Sequence, residues 1–115
     1  MNIQVPTVLL DGTVLSLVNE QDLYGYAITK QVQNHLNISE STMYPVMRRL
    51  QKNGYLETYD EAFEGRHRRY YRITESGRIH LAEIRAAWGE FRVAVDNLLI
   101  EEKSVNGGDE DESRN

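Results

Sequence analysis

Apolar residues recur at helical spacing from Val8 to Val18, at Leu10, Val14, Leu17 and Val18, with Asp11 and Gly12 interrupting the run near its start. This predicts a first helix. Beyond the polar turn Asn19 to Asp22, the positions Tyr24, Ile28, Val32 and Leu36 follow one another at intervals of four. That is the one-sided stripe of an amphipathic helix packed on a core. Asn37 to Ser39 makes a polar break, and a third stripe through Met43, Val46, Met47 and Leu50 stops at Asn53-Gly54, a helix-ending pair.

The period then changes. Tyr55 to Tyr59 is short and rich in aromatic and β-preferring residues, Asp60 to Arg66 carries turn chemistry around Gly65, and Arg69 to Ile73 alternates again. A β-hairpin is predicted. Thr74 is placed to cap a last helix, with Glu75 where the helix dipole favours an acid, and the helix runs to about Ile100. Its apolar positions Leu81, Ile84, Trp88, Phe91, Val95 and Leu98 are spaced 3, 4, 3, 4 and 3, a heptad seam.

Helix, helix, helix, hairpin, helix is the element order of a winged helix-turn-helix. The expected fold is mainly α, an α+β domain with a three-helix DNA-binding core, a two-stranded wing and a long C-terminal dimerisation helix. The boundaries are 1–73 for the winged helix-turn-helix, 74–102 for the last helix and 103–115 for a disordered acidic tail. Pro45 costs the third helix an amide hydrogen bond, so that helix is expected to start late or to kink.

With 115 residues, of which 40% are apolar, the chain fills one packed domain. It contains no cysteine, which excludes disulfides and thiolate metal sites, and its start lacks the pattern of a signal peptide. A cytoplasmic protein with no membrane association is expected. The net charge of -5 argues against a nucleic-acid partner until its distribution is considered. Between Lys30 and Arg78 nine Lys or Arg stand against six Asp or Glu, whereas Glu101 to Asn115 holds six acids and two bases. The middle is basic and the tail acidic. Catalysis is not expected: His35, His67 and His80 lack metal-ligand spacing, and neither a thiol nucleophile nor a glycine-rich phosphate loop is present. No metal and no cofactor are called for.

With Met43, Val46, Met47 and Leu50 turned to the core, the third helix directs Ser41, Thr42, Tyr44, Pro45, Arg48 and Arg49 outward or sideways. Ser41 and Thr42 can meet phosphates or base edges, and Arg48, Arg49 and Lys52 can neutralise phosphate oxygens. The plainer reading is a solvated helix face. The hairpin adds Arg66, His67, Arg68, Arg69 and Arg72, interleaved with Tyr70 and Tyr71. On a strand, Arg68, Tyr70 and Arg72 share one face and Arg69, Tyr71 and Ile73 the other, so Tyr71 and Ile73 anchor the hairpin while Arg68 and Arg72 project. Arg66, Arg68 and Arg72 are the expected wing contacts to double-stranded DNA. Pairing of these arginines with Asp60, Glu61 and Glu64 is the alternative, and a basic wing that binds an acidic protein is the competing function.

Four ordered pieces carry a resemblance. Leu10-Asp11-Gly12-Thr13, Leu23-Tyr24-Gly25-Tyr26, Thr42-Met43-Tyr44-Pro45 with Arg48-Arg49-Leu50, and Gly65-Arg66 leading to Tyr70-Tyr71-Arg72-Ile73-Thr74 with Gly77 resemble the PadR family of bacterial transcriptional regulators, over roughly residues 8 to 100. The single C-terminal helix is similar to that of the family's compact subgroup. The resemblance implies a homodimer joined through that helix, repression of promoters and, in several members, release by small aromatic or drug-like effectors.

Leu81, Ile84, Trp88, Phe91, Val95 and Leu98 are accordingly the expected dimerisation residues, with Ala87, Ala94 and Leu99 offering a second apolar side. A two-fold dimer would present two recognition helices to a palindromic operator. Trp88, the single tryptophan, lies mid-seam, and an effector site is expected from Trp88, Phe91, Leu10 and Val14, with interface packing as the alternative role of Trp88.

Overall fold

The computed structural model describes residues 1–100; the expected acidic, disordered tail from residue 103 lies outside them. The elements are α1 (Thr7–Glu20), β1 (Leu23–Tyr24), α2 (Gly25–Gln33), α3 (Glu40–Lys52), β2 (Leu56–Phe63), β3 (Arg66–Ile73) and α4 (Glu75–Leu99). Two compact units are distinguished, Met1–Arg85 and the remainder from Ala86.

In the first unit the helical stripes become one core: Leu10, Val14, Leu15 and Val18 of α1, Ile28 and Val32 of α2, and Met43, Val46, Met47 and Leu50 of α3 are buried together with Leu56, Ile73, Leu81 and Ile84. The order is that of a winged helix-turn-helix, as the periodicity predicts. The second helix is shorter than its stripe. Tyr24 belongs to a strand and Leu36 lies beyond the helix end, although Leu36 still packs against the core.

α3 begins at Glu40, capped by Ser39, whose hydroxyl accepts a hydrogen bond from the Thr42 amide at 3.2 Å. Pro45 sits inside the helix without delaying its start. At the other end, the Gly54 amide donates to the Gln51 carbonyl and the Tyr55 amide to the Leu50 carbonyl. This closure needs a left-handed residue, and Gly54 supplies it at φ 82°.

The wing differs from expectation in extent and strand number. Its strands continue through Asp60 to Phe63, leaving only Glu64-Gly65 as the turn, both at positive φ (51° and 79°). That combination is the one a two-residue hairpin turn requires. β1 adds a third strand: the sheet order is β1-β3-β2, all antiparallel, with Leu23 opposite Tyr71 and Tyr24 opposite Tyr70. A two-residue strand carries no periodicity of its own, so only its partner reveals it.

The start of α4 is tied to the connection between α3 and β2 by Thr74. Its hydroxyl donates to the Gly54 carbonyl at 2.6 Å and accepts from the Gly77 amide at 3.0 Å, and its amide donates to the Tyr55 carbonyl at 3.1 Å. Gly77 permits this approach, since a β-carbon there would lie 2.2 Å from the Tyr55 carbonyl oxygen.

Candidate nucleic-acid interface

The α3 N-terminus presents three clustered hydroxyls, with Ser39 Oγ 3.0 Å from Ser41 Oγ and 2.9 Å from Thr42 Oγ1. Unsatisfied amides at this helix end and the positive pole of its dipole favour anions. Farther along, Tyr44, Pro45, Arg48 and Lys52 are exposed opposite the buried Met43, Val46, Met47 and Leu50. The helix has one apolar face and one polar, cationic face. Arg48 and Lys52 have no carboxylate partner among the described residues. Burial pushes the Tyr71 phenol up, against the opposing charges of Arg69 and Arg48.

Arg49 departs from the expected outward set. Its guanidinium donates to the Asp11 carboxylate of α1, and only 14% of the Asp11 side chain is exposed. Burial raises the Asp11 carboxyl above its ordinary value of 3.8, and the nearby charges of Arg49 and His80 only partly offset it. An arginine already spent on a shielded carboxylate is a poor phosphate ligand. Arg49 instead fastens α3 to α1.

In the wing, alternation divides the side chains as the sequence predicts: Tyr71 and Ile73 pack toward the core, and Arg68, Tyr70 and Arg72 lie on the other face. The register then sets an acidic strand against a basic one. Glu57 is opposite Arg72, Asp60 opposite Arg69 and Glu61 opposite Arg68. Residues 55–73 hold four acids and four arginines, so the hairpin has no formal net charge.

Individual arginines therefore matter more than the wing's total. Arg69 pairs with Asp60 at 3.4 Å; Arg72, expected to project toward DNA, pairs with Asp22 at 3.4 Å and Glu57 at 3.5 Å and lies over the Tyr59 ring at 4.6 Å. Asp22 also accepts the Tyr59 hydroxyl at 2.7 Å, a bond that raises the phenol's pKa because it favours the protonated form. Arg66, at the tip, is exposed and unpaired among the described residues. Arg68 has no carboxylate partner either, although Glu61 stands across from it: its guanidinium lies between the rings of Tyr24 and Phe63. Sequence reasoning gave Asp11, Asp22, Tyr24 and Phe63 no part in this site, and only the alternation of Tyr59, Glu61 and Phe63 held a local signal.

Residues 14–83 match the transcriptional regulator PadR-like family. This chain belongs to the PadR family. It is similar to the transcriptional regulator Rv3488 of Mycobacterium tuberculosis, 33% identical over 78 residues that span 67% of this chain and 73% of that protein. Among solved structures, smu.1704 from Streptococcus mutans is 35% identical with a TM-score of 0.80, over 86% of this chain and 93% of the other. A PadR-like transcriptional regulator of Bacillus cereus, BC4206, is 33% identical with a TM-score of 0.72, covering 79% and 91% of the two chains. The protein is a DNA-binding transcriptional regulator and not an enzyme. No described helix is long and apolar enough to cross a membrane.

Burial splits the heptad seam of this PadR-family regulator into two parts. Leu81 and Ile84 are 2% and 6% exposed within the core of their own winged helix, which corrects their assignment to a partner-facing seam. Leu10 and Val14 are buried in that same core, at 3% and 0%, and offer no surface to an effector. In the second unit Trp88, Phe91 and Leu98 are exposed and Val95 is half-buried. The Trp88 and Phe91 ring centroids are 6.3 Å apart, with planes tilted by 43°.

Proposed function

We propose that the regulator represses transcription as a homodimer on a palindromic operator, with α3 in the major groove and the wing on the flanking backbone. The observation that carries this reading is the exposed face of α3, where short hydroxyls are followed by Tyr44 and by the cations Arg48 and Lys52, unpaired among the described residues. Ser41, Thr42 and Tyr44 are the base-edge candidates, while Arg48, Lys52, Arg66 and Arg68 take phosphates. Arg49 and Arg72 hold the domain together. The apolar residues Trp88, Phe91, Val95 and Leu98 form the dimer contact, since a lone helix gains nothing by presenting such a surface to water. An aromatic effector, where one acts, is taken by the exposed rings of Trp88 and Phe91.

Selection of bound fragments from a random DNA pool at two salt concentrations tests the reading. An enriched inverted repeat, together with a dimer in sedimentation that Leu98→Glu dissociates, is the expected result. A monomer, or enrichment without two-fold symmetry, refutes it.

A further inference from the structure

The outer face of the wing sheet carries a ladder of rings and cations that DNA binding by a generic basic hairpin does not require. Register places Tyr24, Tyr70 and Tyr59 side by side across β1, β3 and β2. The Tyr70 and Tyr59 rings stack at 5.6 Å, and Tyr70 meets Tyr24 edge-on at 5.7 Å. Arg72 and Asp22 close one end of the row. At the other end the Arg68 guanidinium carbon lies 3.8 Å from the Tyr24 ring centroid and 3.7 Å from that of Phe63.

A guanidinium covered on both faces has lost most of its rotamer freedom, while its N–H donors point outward in its plane. Arg68 donates to no carboxylate among the described residues, so those donors are unspent. An arginine free in solvent gives up side-chain entropy on meeting a phosphate. Arg68 has given it up on folding, and its planar fork suits two phosphate oxygens.

We propose that Tyr24 and Phe63 are positioning residues for DNA binding, holding the Arg68 guanidinium edge-out as a pre-oriented clamp for a backbone phosphate. The inference rests on the reading of Arg68 as a phosphate contact. Tyr70 acts one step farther back by bracing the Tyr24 ring, and Tyr59 stacks behind Tyr70.

The test is a fluorescence-anisotropy titration of the full-length protein against a labelled mixed-sequence duplex over a series of salt concentrations, with thermal unfolding as the check on folding. Arg68→Ala weakens binding and lowers the slope of log K against log salt by about one. Tyr24→Leu and Phe63→Leu leave that slope unchanged but weaken binding at fixed salt, by about threefold to thirtyfold, the upper bound being an arginine's whole rotamer entropy. Both ring substitutions lose their effect in the Arg68→Ala background, and Tyr24→Phe restores binding. Arg68→Lys, a surface change that does not depend on either ring variant folding, keeps the slope and loses affinity. Failure of Arg68→Ala to change affinity or slope overturns the phosphate contact and the clamp with it. Loss on Arg68→Ala, with wild-type binding by Arg68→Lys or by both leucine variants, leaves the contact standing and overturns the positioning role.

Discussion

Gly12 lies in the interior of α1, where alanine would ordinarily stabilise a helix by about 1 kcal/mol. Here the opposite is expected. A β-carbon at position 12 would fall 2.8 Å from Ile84 Cγ2 and 3.7 Å from Ile84 Cβ. Ile84 is buried, and as a β-branched residue in a helix it has one strongly preferred rotamer, so its methyl cannot swing aside cheaply. Overpacking of this kind costs about 1–3 kcal/mol. Set against the propensity gain, Gly12→Ala should lower stability by between roughly 0 and 2 kcal/mol. The origin of the loss is tested by a cycle. Ile84→Ala alone should cost about 2–5 kcal/mol. Adding Gly12→Ala to it should then regain about 1 kcal/mol, because the obstructing methyl is gone, while Ile84→Val keeps that methyl and should give no relief. Gly89→Ala, where a β-carbon meets nothing within 4 Å, serves as the reference and should stabilise. Urea unfolding at one fixed protein concentration measures the single variants and the two double variants that combine Gly12→Ala with Ile84→Ala or Ile84→Val. A Gly12→Ala variant as stabilised as Gly89→Ala would show that α1 and α4 do not approach each other as closely as described.

The Asp11–Arg49 pair should respond unequally to loss of its members: Arg49→Ala leaves a shielded carboxylate alone and costs about 1–3 kcal/mol at neutral pH, whereas Asp11→Asn, which frees a half-exposed guanidinium, costs less than about 1 kcal/mol. Because the Asp11 pKa is raised by folding, its contribution is complete below pH 3.8 and is lost as pH rises through the raised value. The stability difference between wild type and Asp11→Asn, followed by denaturant titration across that range, should therefore fall as pH increases and then level off; a rise would reverse the sign of the argument. Glu64, a non-glycine residue at φ 51°, should be improved by Glu64→Asn by about 0.5–1 kcal/mol, since asparagine tolerates the left-handed region, and an unchanged thermal midpoint would count against the turn geometry. Thr74→Ala removes the hydroxyl that caps α4 and reaches Gly54, and a loss of about 1 kcal/mol in urea unfolding is expected.

Much of this protein follows from short-range pattern. The stripes through Val14 and Val18, Ile28 and Val32, and Met43 to Leu50 mark the core faces of three helices, because helical period is a property of neighbouring residues. The same period turns Tyr44, Arg48 and Lys52 outward, and Asn53-Gly54 and Thr74 mark a helix end and a helix start from their backbone chemistry. Family membership was legible in the same stretches. The extent of the wing was not, since Asp60 and Glu61 are poor strand formers held in β2 by the backbone ladder opposite Arg69 and Arg68. Nor was the third strand, which exists only where Tyr24 finds Tyr70.

The fate of the charged residues lay still farther from local pattern. Arg49 reaches Asp11 across 38 positions, Arg72 reaches back to Asp22, and Arg68 passes the neighbouring Glu61 to lie between Tyr24 and Phe63. Sequence spacing says which side of an element a side chain leaves from. Which group it meets there depends on how distant segments pack, and that was decided by the tertiary structure alone. The heptad seam shows the division most plainly. Its spacing determines that a continuous apolar stripe exists, but only packing assigns Leu81 and Ile84 to the chain's own core and leaves Trp88, Phe91 and Leu98 exposed, because apolar area is satisfied equally by any surface that excludes water.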